Sequence, residues 1–172
     1  INAEKLLDAL RKVNKQKKID LVVFGGDLID RGGESFSSPT EGFKTFEEIV
    51  LLPIKSELGL TNEHIVIVPG NHDTDVSLLT KGADSLMKSL GTETKVMKFL
   101  FSDNSANENM KGMLAYYAFR DAFYNGIAEY SKSETDFASC LKNQIEGKKI
   151  GIAMLNTAWG CTAKSGEEVL LG

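Results

Sequence analysis

The stretch LVVFGGDLIDR, at residues 21–31, and the stretch IVIVPGNHDTD, at residues 65–75, share one layout. Each is a short apolar run that ends in glycine and is followed by carboxylate, amide or imidazole side chains. Such a run predicts a buried strand with polar groups just beyond its carboxyl end, where open α/β sheets build their sites. We therefore expect two neighbouring strands whose polar ends meet. The side chains that follow the strands are Asp27, Asp30, Asn71, His72 and Asp73.

A cation would explain why so many polar groups are gathered at one place. Carboxylates packed together repel each other and lose hydration, so the cluster gains little by itself. Aspartate oxygens, an asparagine oxygen and an imidazole are hard or borderline donors. They suit Mn²⁺, Fe²⁺ or Fe³⁺, Zn²⁺ and Mg²⁺ better than soft metals. The residue types therefore point to divalent metal ions as cofactors, without selecting one of these four elements.

The two blocks, Gly26-Asp27-x-x-Asp30 and Gly70-Asn71-His72-Asp73, resemble those of the calcineurin-like metallophosphoesterase superfamily. In that superfamily an Asp-x-His block comes first, and a further histidine and a Gly-His-x-His block come later. Neither block occurs here, because His64 and His72 are the only histidines. We expect the missing blocks to lie outside residues 1–172. The chain is then interpreted as the central part of one metallophosphoesterase domain, with residues 76–147 as a helical insertion within it.

The resemblance implies a role for each residue of the two blocks. Asp27 is expected to bridge two divalent metal ions, and Asn71 to bind one of them through its amide oxygen. His72 is expected to be the catalytic group that protonates the leaving oxygen, with Asp73 orienting its imidazole. Asp30 is expected to form hydrogen bonds in the shell behind the metals.

The sequence leaves two interpretations of Arg31 open. Its forked guanidinium is suited to the oxygens of a phosphate group, which makes it a candidate phosphate contact. An ion pair with Asp30 or Glu34 is an equally good explanation. His64 lies off the motif, and we expect it at a strand edge without metal contact.

The resemblance predicts hydrolysis of a phosphate monoester or diester by a dinuclear-metal enzyme. Three alternatives stay open: a DNA or RNA nuclease of the same superfamily, a Ser/Thr protein phosphatase-like enzyme, and a metal-poor binding or regulatory module without turnover. The block GDLIDRG also resembles Ser/Thr phosphatases, but their third block ends in Glu where this chain has Asp73. Partner domains outside this chain are compatible with all four functions.

The overall composition and charge argue against some classes of binding partner. The 172 residues carry a net charge of −4, which argues against a broad electrostatic footprint for nucleic acid, although a local basic groove stays open. No apolar run is long enough to cross a bilayer, so we expect no membrane partner. Cys140 and Cys161 are far apart in sequence and predict reduced thiols in a cytoplasmic protein.

Apolar periodicity predicts the fold. Helical spacing favours helices at 1–18, 41–58 and 110–130, the second kinked or split by Pro53. Apolar runs predict strands at 19–24, 65–68 and 150–156, the first two buried on both faces, and we find no strand pattern between 76 and 147. Trp159 is either a pocket wall or a core residue. Together with the resemblance, these elements predict an α/β, metallophosphoesterase-like αββα sandwich with mixed sheets flanked by helices.

Overall fold

The computed structural model describes residues 3–79, 85, 88–100, 111–133 and 136–161. Within these ranges, the chain contains both helices and strands. The helices are α1 (Ala3–Gln16), α2 (Pro39–Phe46), α3 (Leu52–Leu58), α4 (Glu93–Leu100) and α5 (Leu114–Phe123). The strands are β1 (Val22–Phe24), β2 (Ile65–Ile67), β3 (Tyr130–Lys132), β4 (Ala138–Ile145) and β5 (Lys148–Leu155).

The first two strands form a parallel pair, as their apolar runs predict. Val22 lies opposite Ile65, and Phe24 opposite Ile67. The three residues of β2 are at most 2% exposed, which confirms a strand buried on both faces. The same prediction is wrong for β1, because Val23 is 59% exposed. The main core packs against only one face of β1, and the described residues leave the other face uncovered.

The chain between β1 and β2 is helical but broken, which confirms the expected effect of Pro53. Helix α2 begins after Ser38, whose hydroxyl accepts a hydrogen bond from the Glu41 amide at 3.2 Å. A π-helical segment, Glu47–Leu51, separates α2 from α3. Proline cannot donate to the carbonyl four residues before it, so the wider turn falls directly ahead of Pro53. Gly59, in the left-handed conformation at φ +64°, ends α3.

In the part of the chain that the structure describes, tyrosine hydroxyls and not a third strand close the outer edge of β2. The amide of Val68 bonds to Phe24 at 3.1 Å, so the backbone groups of Ile65 and Ile67 face away from β1. The Tyr124 hydroxyl accepts from the Ile67 amide at 3.0 Å and donates to the Ile65 carbonyl at 2.9 Å. The Tyr116 hydroxyl donates to the Ile67 carbonyl at 3.1 Å. These bonds satisfy buried backbone groups that would otherwise be unpaired.

The second sheet is antiparallel, with strand order β3-β4-β5. Strand β5 confirms the strand predicted at 150–156, and it forms a hairpin with β4, in which Ala138 lies opposite Leu155. The prediction that no strand lies between residues 76 and 147 is wrong, because β3 and β4 both lie there. Strand β4 has the sequence ASCLKNQI, whose serine, lysine and amide residues hide its strand character. The division into a domain at 1–172 with an insertion at 76–147 stays a prediction.

Two clusters of buried side chains hold these elements together. The larger cluster joins α2, α3, α5 and β2, with Phe43, Leu51, Ile65 and Tyr116 nearly or fully inaccessible. In the smaller cluster, Trp159 is 2% exposed and its ring lies 5.8 Å from that of Phe99. Trp159 is therefore a core residue and not a pocket wall. The mixed α/β class, with small parallel and antiparallel sheets beside helices, confirms the predicted fold class.

Candidate metallophosphoesterase site

The two motif turns are in direct contact, as the sequence predicts. Gly26 has φ +111° and Asp27 has φ +55°, so the chain bends sharply at the end of β1. A Cβ atom built on Gly70 would lie 2.2 Å from Oδ1 of Asp27 and 2.5 Å from its amide nitrogen. A Cβ on Gly26 would lie 2.6 Å from the Gly70 amide nitrogen. Only glycine at both positions lets the turns approach this closely.

The Asp27 carboxylate lies at the contact between the turns. Its Oδ1 atom accepts a hydrogen bond from the His72 backbone amide at 3.1 Å. Asp27 and Asn71 are both exposed, so their oxygens are accessible to a ligand from solvent. Aspartate adopts positive φ more readily than most residues, which fits its place in this turn. The structure therefore brings Asp27 and the Asn71–Asp73 turn together.

The His72 imidazole is paired with Asp30 and not with Asp73. Its Nδ1 atom lies 3.1 Å from Oδ1 of Asp30. The Arg31 amide is also directed at Nδ1, but at the longer distance of 3.5 Å. We assign the Nδ1 proton to the shorter contact with the carboxylate. The Nε2 atom then remains for another partner.

Asp73 instead binds three backbone amides, so the prediction that it orients the His72 ring is wrong. Its side chain is completely buried. Oδ1 accepts from Leu28 at 2.8 Å and from Ile29 at 3.1 Å, and Oδ2 accepts from Gly70 at 2.8 Å. Burial raises the pKa of Asp73 to about 6, against the opposing effect of these three bonds. With both oxygens occupied in this way, the carboxylate is not available to the imidazole.

Arg31 is exposed at the edge of the same turn. Its Nη1 atom lies 3.7 Å from Oε2 of Glu34, and both side chains are about 70% exposed. An exposed pair at this distance holds the guanidinium weakly. The structure therefore shows the ion pair with Glu34 that is one of the two interpretations of Arg31. The guanidinium is still accessible to a phosphate. His64 lies apart from the site, with Nδ1 2.8 Å from Oγ1 of Thr61.

A cleft of about 560 Å³ opens beside the two turns. Asn71, His72 and Arg31 line one part of it, and the loop at 32–39 lines another. Cys161 also borders the cleft, and burial, followed by the nearby Asp27 carboxylate, raises the pKa of its thiol. Sequence reasoning missed Cys161 as a cleft residue, because no local pattern relates it to the motif turns. A larger cavity of about 800 Å³, beside Glu63 and Lys142, contains none of the predicted site residues.

The donors at the two turns fit a hard divalent cation. Asp27 offers a carboxylate and Asn71 an amide oxygen, both on exposed side chains beside a cradle that a Cβ on Gly70 would fill. Within the described ranges, no three His, Cys, Asp or Glu side chains converge closely enough to hold a metal ion. Asp27 and Asn71 are thus the described residues that best match the expected ligand chemistry.

Comparison with known proteins identifies the family. The model of the calcineurin-like phosphoesterase family matches residues 1–143, a range that includes both motif turns. The chain belongs to this family. Calcineurin-like phosphoesterases are generally metal-dependent hydrolases of phosphoesters and typically bind two divalent metal ions. No curated protein and no solved structure matches the chain. Among the described residues, no helix of the chain has the length and apolar character needed to span a membrane.

Proposed function

We propose that this chain forms part of a dinuclear-metal phosphoesterase that hydrolyses a phosphate monoester or diester. The observation that supports it best is the contact between the two motif turns, in which the Asp27 carboxylate accepts from the His72 amide at 3.1 Å. Family membership supports phosphoester hydrolysis in general. The free thiols of Cys140 and Cys161 are compatible with action in the cytoplasm.

Each residue of the two turns has a part in this proposal. Asp27 and Asn71 would hold the divalent ions, with Mn²⁺, Fe²⁺ or Fe³⁺, Zn²⁺ and Mg²⁺ as candidates. When bound, such a pair of ions would neutralise charge on a phosphoryl group and supply a nucleophile at neutral pH. His72 acts as the imidazolium, with a proton on each ring nitrogen, and donates its Nε2 proton to the oxygen of the leaving alcohol, which leaves the ring neutral with Nδ1 protonated. Asp30 holds the opposite ring nitrogen, and Arg31 binds a phosphoryl oxygen.

The test is metal and activity analysis of the intact protein with one matched pair of variants. Asp27→Asn keeps size and tolerance of positive φ but removes the charge shared by two cations. Asp20→Asn makes the same change at a residue after α1 whose carboxylate pairs with Lys18, at 3.1 Å. We expect Asp27→Asn to lose metal, measured by elemental analysis, together with hydrolysis of a chromogenic substrate. Asp20→Asn should change neither.

The same assay separates the alternative functions. Single-stranded DNA would be the preferred substrate of a nuclease, and a phosphoserine peptide that of a protein phosphatase. A chromogenic monoester and a chromogenic diester report the general phosphoesterase. Intact protein that contains no metal and hydrolyses none of these substrates would contradict the proposal and favour a binding module. Full two-metal loading in Asp27→Asn would exclude the bridging role alone.

A further inference from the structure

The buried carboxylate of Asp73 connects the two turns through backbone amides alone. Oδ1 receives the amides of Leu28 and Ile29, which lie 45 and 44 residues away in the chain, at 2.8 and 3.1 Å. Oδ2 receives the amide of Gly70, in its own turn, at 2.8 Å. A single rigid carboxylate therefore spans the gap between the turn after β1 and the turn after β2.

The amides that Asp73 holds are the chain neighbours of the proposed metal ligands. Leu28 directly follows Asp27, and Gly70 directly precedes Asn71. Asp27 has φ +55°, in the left-handed region that aspartate occupies more readily than most residues but less readily than glycine. The bonds that Asp73 accepts from the Leu28 and Ile29 amides fix the chain immediately after this residue. The distance between Asp27 and Asn71 therefore depends on the hydrogen bonds that the Asp73 side chain accepts from both turns.

We propose that Asp73 is a positioning residue, which sets the separation of Asp27 and Asn71 and so determines metal affinity without touching the metal. This inference rests on the proposed function, because it takes Asp27 and Asn71 as the ligands. It differs from a role on His72, since both Asp73 oxygens bind amides.

The test compares Mn²⁺ binding by the intact protein and three variants. In Asp73→Asn the side chain keeps its size, but its NH₂ group has to face either the Gly70 amide or the other two amides, where donor meets donor. We expect the Kd for Mn²⁺ to rise about 10–100-fold, the usual effect of losing an outer partner of a metal site. Excess Mn²⁺ should restore much of the metal loading.

Two controls separate positioning from general loss of stability. Leu58→Ala truncates a core residue of α3 that is 6% exposed, so it lowers the free energy of unfolding without changing either turn. Asp20→Asn removes one carboxylate charge at a distance from the site. Both should keep the wild-type Kd for Mn²⁺. Hydrogen exchange should show faster exchange of the Leu28, Ile29 and Gly70 amides in Asp73→Asn alone.

Two results would overturn the inference while leaving the proposed function intact. One is a wild-type Kd for Mn²⁺ in Asp73→Asn, and the other is an equal rise of the Kd in Leu58→Ala. If the wild-type protein binds Fe²⁺, Zn²⁺ or Mg²⁺ but not Mn²⁺, the same comparison is made with that ion. Wild-type protein that binds none of the four would instead remove the proposed function and this inference with it. If Asp73→Asn does not fold, Asp73→Ser, which buries neither a charge nor an amide group, carries the same expected loss of affinity.

Discussion

Oδ1 of Asp30 lies 3.1 Å from Nδ1 of His72, although 42 residues separate them in the chain. The pair joins the turn after β1 to the turn after β2, and its His72 side chain lines the cleft. Both side chains are partly exposed, His72 at 40% and Asp30 at 59%. A carboxylate on Nδ1 fixes the ring orientation and the tautomer, which leaves Nε2 as the nitrogen for a substrate. This contact places Asp30, and not Asp73, beside the His72 ring.

Asp30→Asn should slow catalysis while the metals stay bound. An asparagine oxygen can still accept from Nδ1, but the amide holds the ring less strongly than a carboxylate does. We expect kcat to fall by about 10–100-fold, the typical loss on removing an outer-shell partner. Steady-state kinetics and elemental analysis of the same preparation measure both quantities, with Asp20→Asn as the control. Loss of metal in Asp30→Asn would show that Asp30 acts at the metals and not at His72.

Gly70→Ala should disrupt the site although it adds a single methyl group. The new Cβ would lie 2.2 Å from Oδ1 of Asp27 and 2.5 Å from the Asp27 amide, so backbone has to move. Overpacking of this kind lowers the free energy of unfolding by about 1–3 kcal/mol or more. We expect lower stability in urea denaturation and lower metal content.

Gly25→Ala is the matched control, because a Cβ on Gly25 meets nothing within 4 Å. It should leave metal content unchanged and stability within about 1 kcal/mol. Equal effects of the two substitutions would show that the close approach at Gly70 does not determine the site.

The contact between the two turns could be predicted because local sequence encodes it. An apolar run such as residues 65–67 determines a buried strand, and glycine next to carboxylate determines a tight polar turn. The partner of His72 could not be predicted in this way. Asp30 and Asp73 are both aspartates beside the imidazole, and the choice between them depends on which way each side chain points in three dimensions. The Asp73 side chain points inward because it accepts hydrogen bonds from three backbone amides there.

The exposure of β1 and the strands β3 and β4 also escaped prediction, for a different reason. Val23 lies in an apolar run, but whether one face is covered depends on elements distant in the sequence. In strand β4, Leu141 and Ile145 are the only large apolar residues, separated by three polar ones, and the strand pairs with β5 across a turn at Glu146 and Gly147. Strand preference depends on such cross-strand neighbours, so composition alone identifies β4 poorly.

Tyr124→Phe should destabilise the fold through the outer edge of β2. The substitution removes one hydroxyl that accepts from the Ile67 amide and donates to the Ile65 carbonyl, at 3.0 and 2.9 Å. Both backbone groups are buried, and leaving them unsatisfied costs about 1–3 kcal/mol. Urea denaturation measures the loss, with an unchanged m-value as the sign that the unfolded state is unaffected. Tyr116→Phe, which loses one bond, should cost less, and the reverse order would contradict the assignment.

His72→Ala should lower kcat by an amount that depends on the leaving group. In the protonated imidazole, Asp30 holds the Nδ1 proton, so the Nε2 proton is the one that can pass to the departing oxygen. General-acid catalysis of this kind contributes roughly 10²–10⁴-fold, so an alkyl phosphate should lose that factor. A nitrophenyl phosphate, whose leaving group needs little protonation, should lose much less. Elemental analysis should find the metals retained, because His72 is not assigned as a ligand. An equal loss on both substrates, or loss of metal, would contradict the acid role and place His72 at the metals.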